Sequence, residues 1–240
     1  MQHKGIVAST DMPAVLIYTE LDLNGDSGFQ KMASVARDYQ GAKPIIVFRK
    51  HGAWVGSKYK YYLRKHGMLS FEDYFDMDND NGELKEKSLR FYEKIELLEK
   101  HYGERPLVMF QEEFQYEPMK AIAAIAKYVG ASYDENDIRI TTVKKSYSQH
   151  SLYYVRKLNR WYKYDHSTIK SSFLKVLYKK FSGGILHLTA FVAGVFEPSK
   201  DKAKKVLPKA STARINERYA ADWNRCIDYA AETREVYLKR

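Results

Sequence analysis

Cysteine, proline and long apolar runs are all scarce in this chain of 240 residues, which has one cysteine, Cys226, and six prolines. A single cysteine excludes an internal disulfide, so a secreted fold stapled by disulfides is disfavoured and a reducing compartment is allowed. The opening MQHKGIVAST contains no apolar core of the kind found in secretory signals. These features predict a soluble, cytoplasmic protein.

No transmembrane segment is predicted. The longest apolar stretch, Gly183–Phe196, has only fourteen residues and includes His187. A helix needs roughly twenty apolar residues to span a bilayer. The stretch is therefore predicted to be a buried helix in preference to a membrane contact.

Metal-binding patterns are also missing. The sequence DMDNDNG, beginning at Asp76, imitates a calcium loop, but its glycine is at the seventh position and Lys87 is at the twelfth. A calcium loop of the EF-hand type has glycine at the sixth position and glutamate at the twelfth. The histidines are scattered, and His101 and His150 have no partner at metal-ligand spacing. No metal is predicted.

Strand-like and helix-like segments alternate in the middle of the chain. Ile45–Phe48 and Leu107–Phe110 are short apolar runs, which are typical of buried parallel strands. A helical pattern from Leu84 to Tyr102 separates them, and a second one runs from Pro118 to a stop at Gly130. The alternation predicts an α/β layer fold, and 45% hydrophobic residues suffice for one core. We expect one domain over residues 1–240.

Arg49 and Ser57 are the candidate ligand-binding residues. Arg49 follows the first predicted strand, at the end where open α/β sheets bind ligands. Its guanidinium can form two charge-assisted hydrogen bonds to a phosphate, and Ser57, near the next helix start, adds a hydroxyl. The alternative is a solvated strand-end charge followed by an ordinary helix residue. His51 and His66 flank that helix without forming a recognised pair.

The order of these segments resembles that of the sulfotransferases, and most closely the bacterial carbohydrate-type members, from about Gly5 to Cys226. In that family a strand-end arginine, here Arg49, and a serine eight residues later, here Ser57, bind the 3′-phosphate of 3′-phosphoadenosine 5′-phosphosulfate (PAPS). The later match is a helix, a strand, an acidic pair at Glu112-Glu113 and an acidic-proline step. The resemblance implies a P-loop-nucleotide-kinase-like fold with a central parallel sheet flanked by helices, with PAPS as donor and adenosine 3′,5′-bisphosphate (PAP) as product.

One part of the family pattern is missing. Sulfotransferases normally begin with a strand, a loop rich in Lys, Gly and Ser or Thr that holds the 5′-phosphosulfate, and a helix. Lys4-Gly5 followed by Ser9-Thr10 lacks the close spacing that such a loop requires. We therefore expect that this strand-loop-helix unit has been lost from the chain, has degenerated or is supplied by another chain.

Sulfuryl transfer also needs a base that removes a proton from the acceptor hydroxyl. The resemblance directs the search to the segment before Arg49, where the candidates are Asp11, Glu20 and His3. Asp11 is favoured because Ser9-Thr10-Asp11 follows an apolar run and resembles a Ser-Ser-Glu step of the bacterial relatives. The alternative is that Asp11 caps a helix or forms a turn before Pro13.

Residues 139–180 form a basic segment with eleven Lys and Arg residues and one acid, Asp165. Such a segment attracts anionic ligands, either the donor or an acidic acceptor. Interleaved tyrosines also allow nucleic-acid binding, although the resemblance favours an anionic donor or acceptor. A third interpretation is an amphipathic helix with its charges in water, whose apolar side is formed by Leu152, Val155, Leu158 and Tyr162.

The predicted function is therefore sulfuryl transfer from PAPS to a hydroxyl group of a carbohydrate or a small metabolite. Two alternatives stay open. One is a non-catalytic module that binds PAP or a polyanion. The other is a basic nucleic-acid-binding protein, which predicts salt-dependent affinity for single strands.

Overall fold

A computed structural model describes residues 15–19, 34–35, 38, 42–140, 147–161, 171–172, 184–185, 188–195 and 206–238. The chain divides into two compact units. We call Met1–His51, Glu86–Thr141 and Glu217–Arg240 the sheet unit, and Gly52–Lys85 and Thr142–Asn216 the helical unit. The prediction of one domain over residues 1–240 stays a prediction.

The sheet unit contains three parallel strands in the order β1 (Val15–Thr19), β2 (Lys43–Phe48) and β3 (Leu107–Phe110). β2 is central, and its side chains at Ile45 and Ile46 are fully buried. This agrees with the apolar runs that predicted β2 and β3. β1 at the edge was not predicted.

The sheet unit also contains the helices α3 (Phe91–Tyr102), α4 (Gln111–Tyr116), α5 (Pro118–Val129) and α8 (Ala220–Leu238). α8 contacts α3, α5 and β3. The core between sheet and helices consists of Ile45, Leu107, Met109, Ala121, Tyr128 and Val129. The predicted α/β class, with a parallel sheet flanked by helices, is confirmed at this level.

The predicted helix from Leu84 to Tyr102 starts too early, because α3 begins only at Phe91. Residues Glu86–Leu89 form a separate 3-10 turn, and Arg90 has non-helical backbone angles. The predicted ends of α3 and α5 are correct. Gly103 and Gly130 both have positive φ, which glycine adopts without the steric cost of a side chain.

The helical unit contains α1 (His51–Arg64) from Gly52 onward, α2 (Phe71–Tyr74), α6 (Gln149–Trp161), a helical stretch at 188–195, and α7 (Lys209–Arg218) up to Asn216. Buried Asn159 of α6 donates hydrogen bonds to the carbonyls of Leu63, at 2.8 Å, and Gly67, at 2.9 Å. These bonds satisfy carbonyls at the end of α1 and connect α6 to it.

Among the described residues, no helix combines the length and the apolar composition needed to cross a bilayer.

Candidate anion-binding site

The carboxyl ends of β2 and β3 lie side by side, because the strands are parallel and Phe48 is paired with Phe110. Arg49 and Lys50 follow β2, and Gln111 and Glu112 follow β3. The sequence places apolar side chains within the strands and charged side chains directly after them. Both cationic and anionic groups therefore collect at one edge of the sheet, which is where parallel sheets bind ligands.

Arg49 is half-buried at this edge. Within the described part of the chain, its guanidinium makes no ion pair and no hydrogen bond. A guanidinium carries five N–H donors and stays charged at all ordinary pH values. The position after β2 is the predicted one, and the group has the donors that a phosphate requires.

Glu113 has a structural role. Its Oε2 accepts a hydrogen bond of 2.7 Å from the backbone N–H of Phe110, and its Oε1 is paired with Arg234 of α8 at 2.5 Å. Arg234 also donates to the carbonyl of Val108 at 3.3 Å. This carboxylate therefore connects the end of β3 to α8.

Glu112 differs from its neighbour. Its Oε1 accepts only a long contact of 3.5 Å from the backbone N–H of Lys50, and its Oε2 is buried without a hydrogen-bond partner in the described part of the chain. The carboxylate thus lies beside the residue that follows Arg49. A buried carboxylate oxygen without a donor is available to accept a hydrogen bond from a ligand hydroxyl.

His51 anchors the turn between β2 and α1. It is buried, and its Nε2–H donates to the carbonyl of Leu89 at 2.9 Å and to Asp222 at 3.1 Å. Its ring stacks on Phe91 with the centroids 4.1 Å apart and on Tyr219 at 5.1 Å. These contacts hold the backbone two residues after Arg49 in one place.

Ser57 belongs to the helical unit, whereas Arg49 belongs to the sheet unit. Ser57 is half-buried in α1, which begins at His51, so the serine lies in the second turn rather than at the helix start. The free N–H groups of a helix are those of its first turn. One of these, that of Gly52, donates to Asn216 at 2.8 Å. Joint binding of one phosphate by Arg49 and Ser57 stays a prediction.

The candidate base Asp11, together with Glu20 and His3, lies outside the described residues. The basic segment 139–180 is described at 139–140, 147–161 and 171–172. There the predicted amphipathic helix is confirmed as α6, with Leu152 and Val155 buried and Lys157 and Arg160 exposed. Tyr162 lies outside the described residues. Whether this segment binds anions stays a prediction.

Two other chemical possibilities concern a thiol and a metal ion. Burial raises the pKa of Cys226, and the nearby negative charge of Asp222 raises it further, so this thiol stays protonated and is a poor nucleophile. Across the described ranges, no three His, Cys, Asp or Glu side chains are close enough together to hold a metal ion.

Sequence reasoning missed two features of this edge of the sheet. It did not separate the structural Glu113 from the unpartnered Glu112, because the two residues are adjacent and chemically identical. It also missed the pairing of His51 with Asp222, since the two residues are 171 positions apart.

The chain was compared with known proteins. No family model matches it, and neither a curated protein nor a solved structure matches it significantly.

Proposed function

We propose that the chain binds a nucleotide carrying a 3′-phosphate and that it serves sulfuryl transfer from PAPS. The observation that carries the proposal is Arg49, a half-buried arginine directly after the central strand of a parallel sheet, with no ion-pair partner among the described residues. A buried or half-buried arginine usually pairs with an acid, so an unpaired one at a ligand-binding edge favours an anionic ligand.

The charges near Arg49 and over the whole chain favour an anionic ligand, such as a phosphate, over a neutral one. Lys50 is exposed directly beside Arg49, and the chain as a whole carries a net charge of +10. Arginine binds phosphate through two parallel hydrogen bonds, while a nearby lysine adds charge without fixed geometry. The order of strand, arginine, helix and serine resembles the sulfotransferase pattern, in which the serine at the position of Ser57 also binds the 3′-phosphate.

Transfer would proceed as an in-line displacement. The acceptor oxygen forms a bond to sulfur while the bond from sulfur to the 5′-phosphate oxygen breaks, and the electron pair leaves with PAP. The acceptor hydroxyl loses its proton to a base. Asp11 keeps this role from the sequence, and Glu112, whose Oε2 is buried without a hydrogen-bond partner among the described residues, is a second candidate at the sheet edge. We propose a P-loop-nucleotide-kinase-like sulfotransferase fold for the sheet unit.

The acceptor proposed from the resemblance is a hydroxyl of a carbohydrate or a small metabolite. The choice of acceptor is determined by loops around the sheet edge, and the fold does not specify it. Transfer activity therefore needs a screen of hydroxylated compounds, whereas the nucleotide can be tested directly.

The test is calorimetric titration of the wild-type chain with PAP, with adenosine 5′-monophosphate as a control. We expect saturable binding of PAP at least about tenfold tighter than that of the monophosphate, since one phosphate with two charge-assisted bonds is lost. Equal affinity for both nucleotides contradicts the proposal. Displacement of PAP by any single-stranded oligonucleotide, with steep salt dependence, favours the nucleic-acid-binding alternative instead.

A further inference from the structure

The helical stretch 188–195 exposes its large apolar side chains. The exposed fractions are 61% for Leu188, 68% for Phe191, 44% for Val192 and 61% for Val195. Their spacing of three, four and seven residues places all four on one face of the helix. We call these four residues the apolar stripe.

The opposite face carries small residues and packs on α6. Ala190 is buried and contacts Val155. A Cβ atom at Gly194 would lie 3.2 Å from the Oγ of Ser151, so this glycine also faces α6 closely. The usual amphipathic arrangement is thus reversed, because the small residues face the protein and the large ones face outward. The prediction of a buried helix in Gly183–Phe196 is wrong for the apolar stripe.

The part of the sequence that carries the apolar stripe is strongly cationic. Residues 142–216 include sixteen Lys and Arg residues and three acids. α6, the helix on which the stretch packs, contains three cations and no acid, and its Lys157 and Arg160 are exposed. An apolar helix face combined with an excess of cations is typical of helices that lie in the interface of anionic membranes.

Charge also disfavours the main competing occupant, a second copy of this chain. Two copies would bring the same cationic stretch together, and like charges oppose association. An anionic surface has the complementary charge and offers an apolar layer for the large side chains. The stretch itself is too short to span a bilayer, so the contact fits one leaflet.

We propose that the apolar stripe docks the protein on the surface of anionic lipid bilayers. Leu188, Phe191, Val192 and Val195 insert at the boundary between headgroups and acyl chains, and the excess of cations in residues 142–216 is attracted to the anionic headgroups. The docking does not depend on nucleotide binding, so this proposal and the one above can fail separately.

The experiment is co-sedimentation of the full chain with phosphatidylcholine vesicles that contain phosphatidylserine, and with pure phosphatidylcholine vesicles. The wild type is expected to bind the anionic vesicles more strongly. The double variant Phe191→Asp, Val195→Asp should lower the partition constant at least about tenfold, because two buried apolar contacts are lost. The control Met68→Asp, at another exposed apolar residue of the helical unit, should change it less than about twofold.

Circular dichroism and thermal melting test whether the variants keep their fold. The substituted side chains are exposed, so we expect the fold to be kept. Three results would overturn the proposal. They are a wild type that ignores anionic vesicles, a double variant that binds as the wild type does, and a wild-type dimer without vesicles that the double variant abolishes. The last result would identify the apolar stripe as a self-association surface.

Discussion

His51 and Asp222 hold three elements of the sheet unit together through one carboxylate. Oδ2 of Asp222 lies 3.1 Å from Nε2 of His51, the first residue of α1, and accepts from the backbone N–H of Phe91 at 3.1 Å. Oδ1 accepts from the N–H of Tyr92 at 3.2 Å. The residue before α3, Arg90, provides no side-chain cap of its own. Asp222 of α8 therefore caps α3 from a distant part of the sequence.

Replacing this carboxylate should destabilise the protein. Asp222→Ala removes a helix cap and leaves the buried Nε2–H of His51 with one acceptor fewer, so we expect the free energy of unfolding to fall by about 1–3 kcal/mol. Urea denaturation measures the change. Asp228→Ala, at an exposed aspartate of the same helix, should change it by less than about 0.5 kcal/mol. Equal losses in the two variants would refute the capping role.

Glu112 and Glu113 should differ in how much they contribute to the free energy of unfolding. Glu113→Gln weakens the pairing with Arg234 and the bond to Phe110, and it should cost about 1–3 kcal/mol. Glu112→Gln is the matched control, because among the described residues the Glu112 carboxylate has only the long contact to Lys50. It should stay within about 0.5 kcal/mol of the wild type. A larger loss for Glu112→Gln than for Glu113→Gln would reverse the assignment of roles.

Two glycines of α1 should respond in opposite directions to alanine. A Cβ at Gly52 would lie 2.3 Å from the backbone carbonyl oxygen of Thr212, whereas one at Gly56 would lie 3.4 Å from Leu207. Gly52→Ala therefore forces backbone atoms apart and should cost about 1–3 kcal/mol or more. Gly56→Ala meets ordinary contacts and should gain about 0.5–1 kcal/mol from helix propensity. Thermal melting compares the two variants. A Gly52→Ala variant as stable as the wild type would contradict the close approach of α7 to Gly52.

Alkaline pH should weaken the sheet unit through Tyr128. Burial raises the pKa of its hydroxyl, which donates to the carbonyls of Pro44 at 3.2 Å and Arg105 at 3.1 Å. Below a pH of about 10 the tyrosine is protonated in both the folded and the unfolded state, so its contribution to the free energy of unfolding is fully present. Above that pH the unfolded chain releases the proton and the folded chain does not, so stability falls as pH rises.

Tyr128→Phe removes the contribution of this tyrosine to the alkaline loss of stability. The decline above pH of about 10 should become shallower by up to about 1.4 kcal/mol per pH unit, the value for one proton. Urea denaturation at several pH values gives the slope. Tyr116→Phe, at a tyrosine that is 75% exposed, serves as the control and should leave the slope unchanged. An unchanged slope in Tyr128→Phe would mean that this hydroxyl does not contribute to the alkaline loss of stability.

Sequence patterns within a short segment predicted the elements that such a segment encodes by itself. The apolar runs identified β2 and β3, and Gly103 and Gly130 marked the ends of α3 and α5 because positive φ favours glycine. The start of α3 was missed because its cap comes from Asp222, far along the chain. No local pattern encodes such a partner.

Packing also altered the faces of predicted helices. The helical pattern of the sequence predicts Ile122, Ile125 and Val129 as the buried side of α5. Val129 is buried as predicted, together with Ala121, Ala126 and Tyr128, whereas the two isoleucines are only half-buried. Ala121 and Ala126 are small and allow close packing of the helix, and Tyr128 is buried with its hydroxyl bonded to the carbonyls of Pro44 and Arg105. At the candidate site, the position of Arg49 after β2 followed from the strand, whereas the separate roles of Glu112 and Glu113 depended on α8.

The most direct measurement of the central claim is a calorimetric cycle with two ligands and three proteins. PAP and adenosine 5′-monophosphate are titrated into the wild type, Arg49→Ala and Arg90→Ala, the last removing an exposed arginine elsewhere in the sheet unit. If Arg49 binds the 3′-phosphate, Arg49→Ala weakens PAP binding about tenfold or more and leaves the affinity for the monophosphate nearly unchanged. Arg90→Ala should leave the affinities for both nucleotides nearly unchanged. Equal PAP affinity in the wild type and Arg49→Ala would contradict the account.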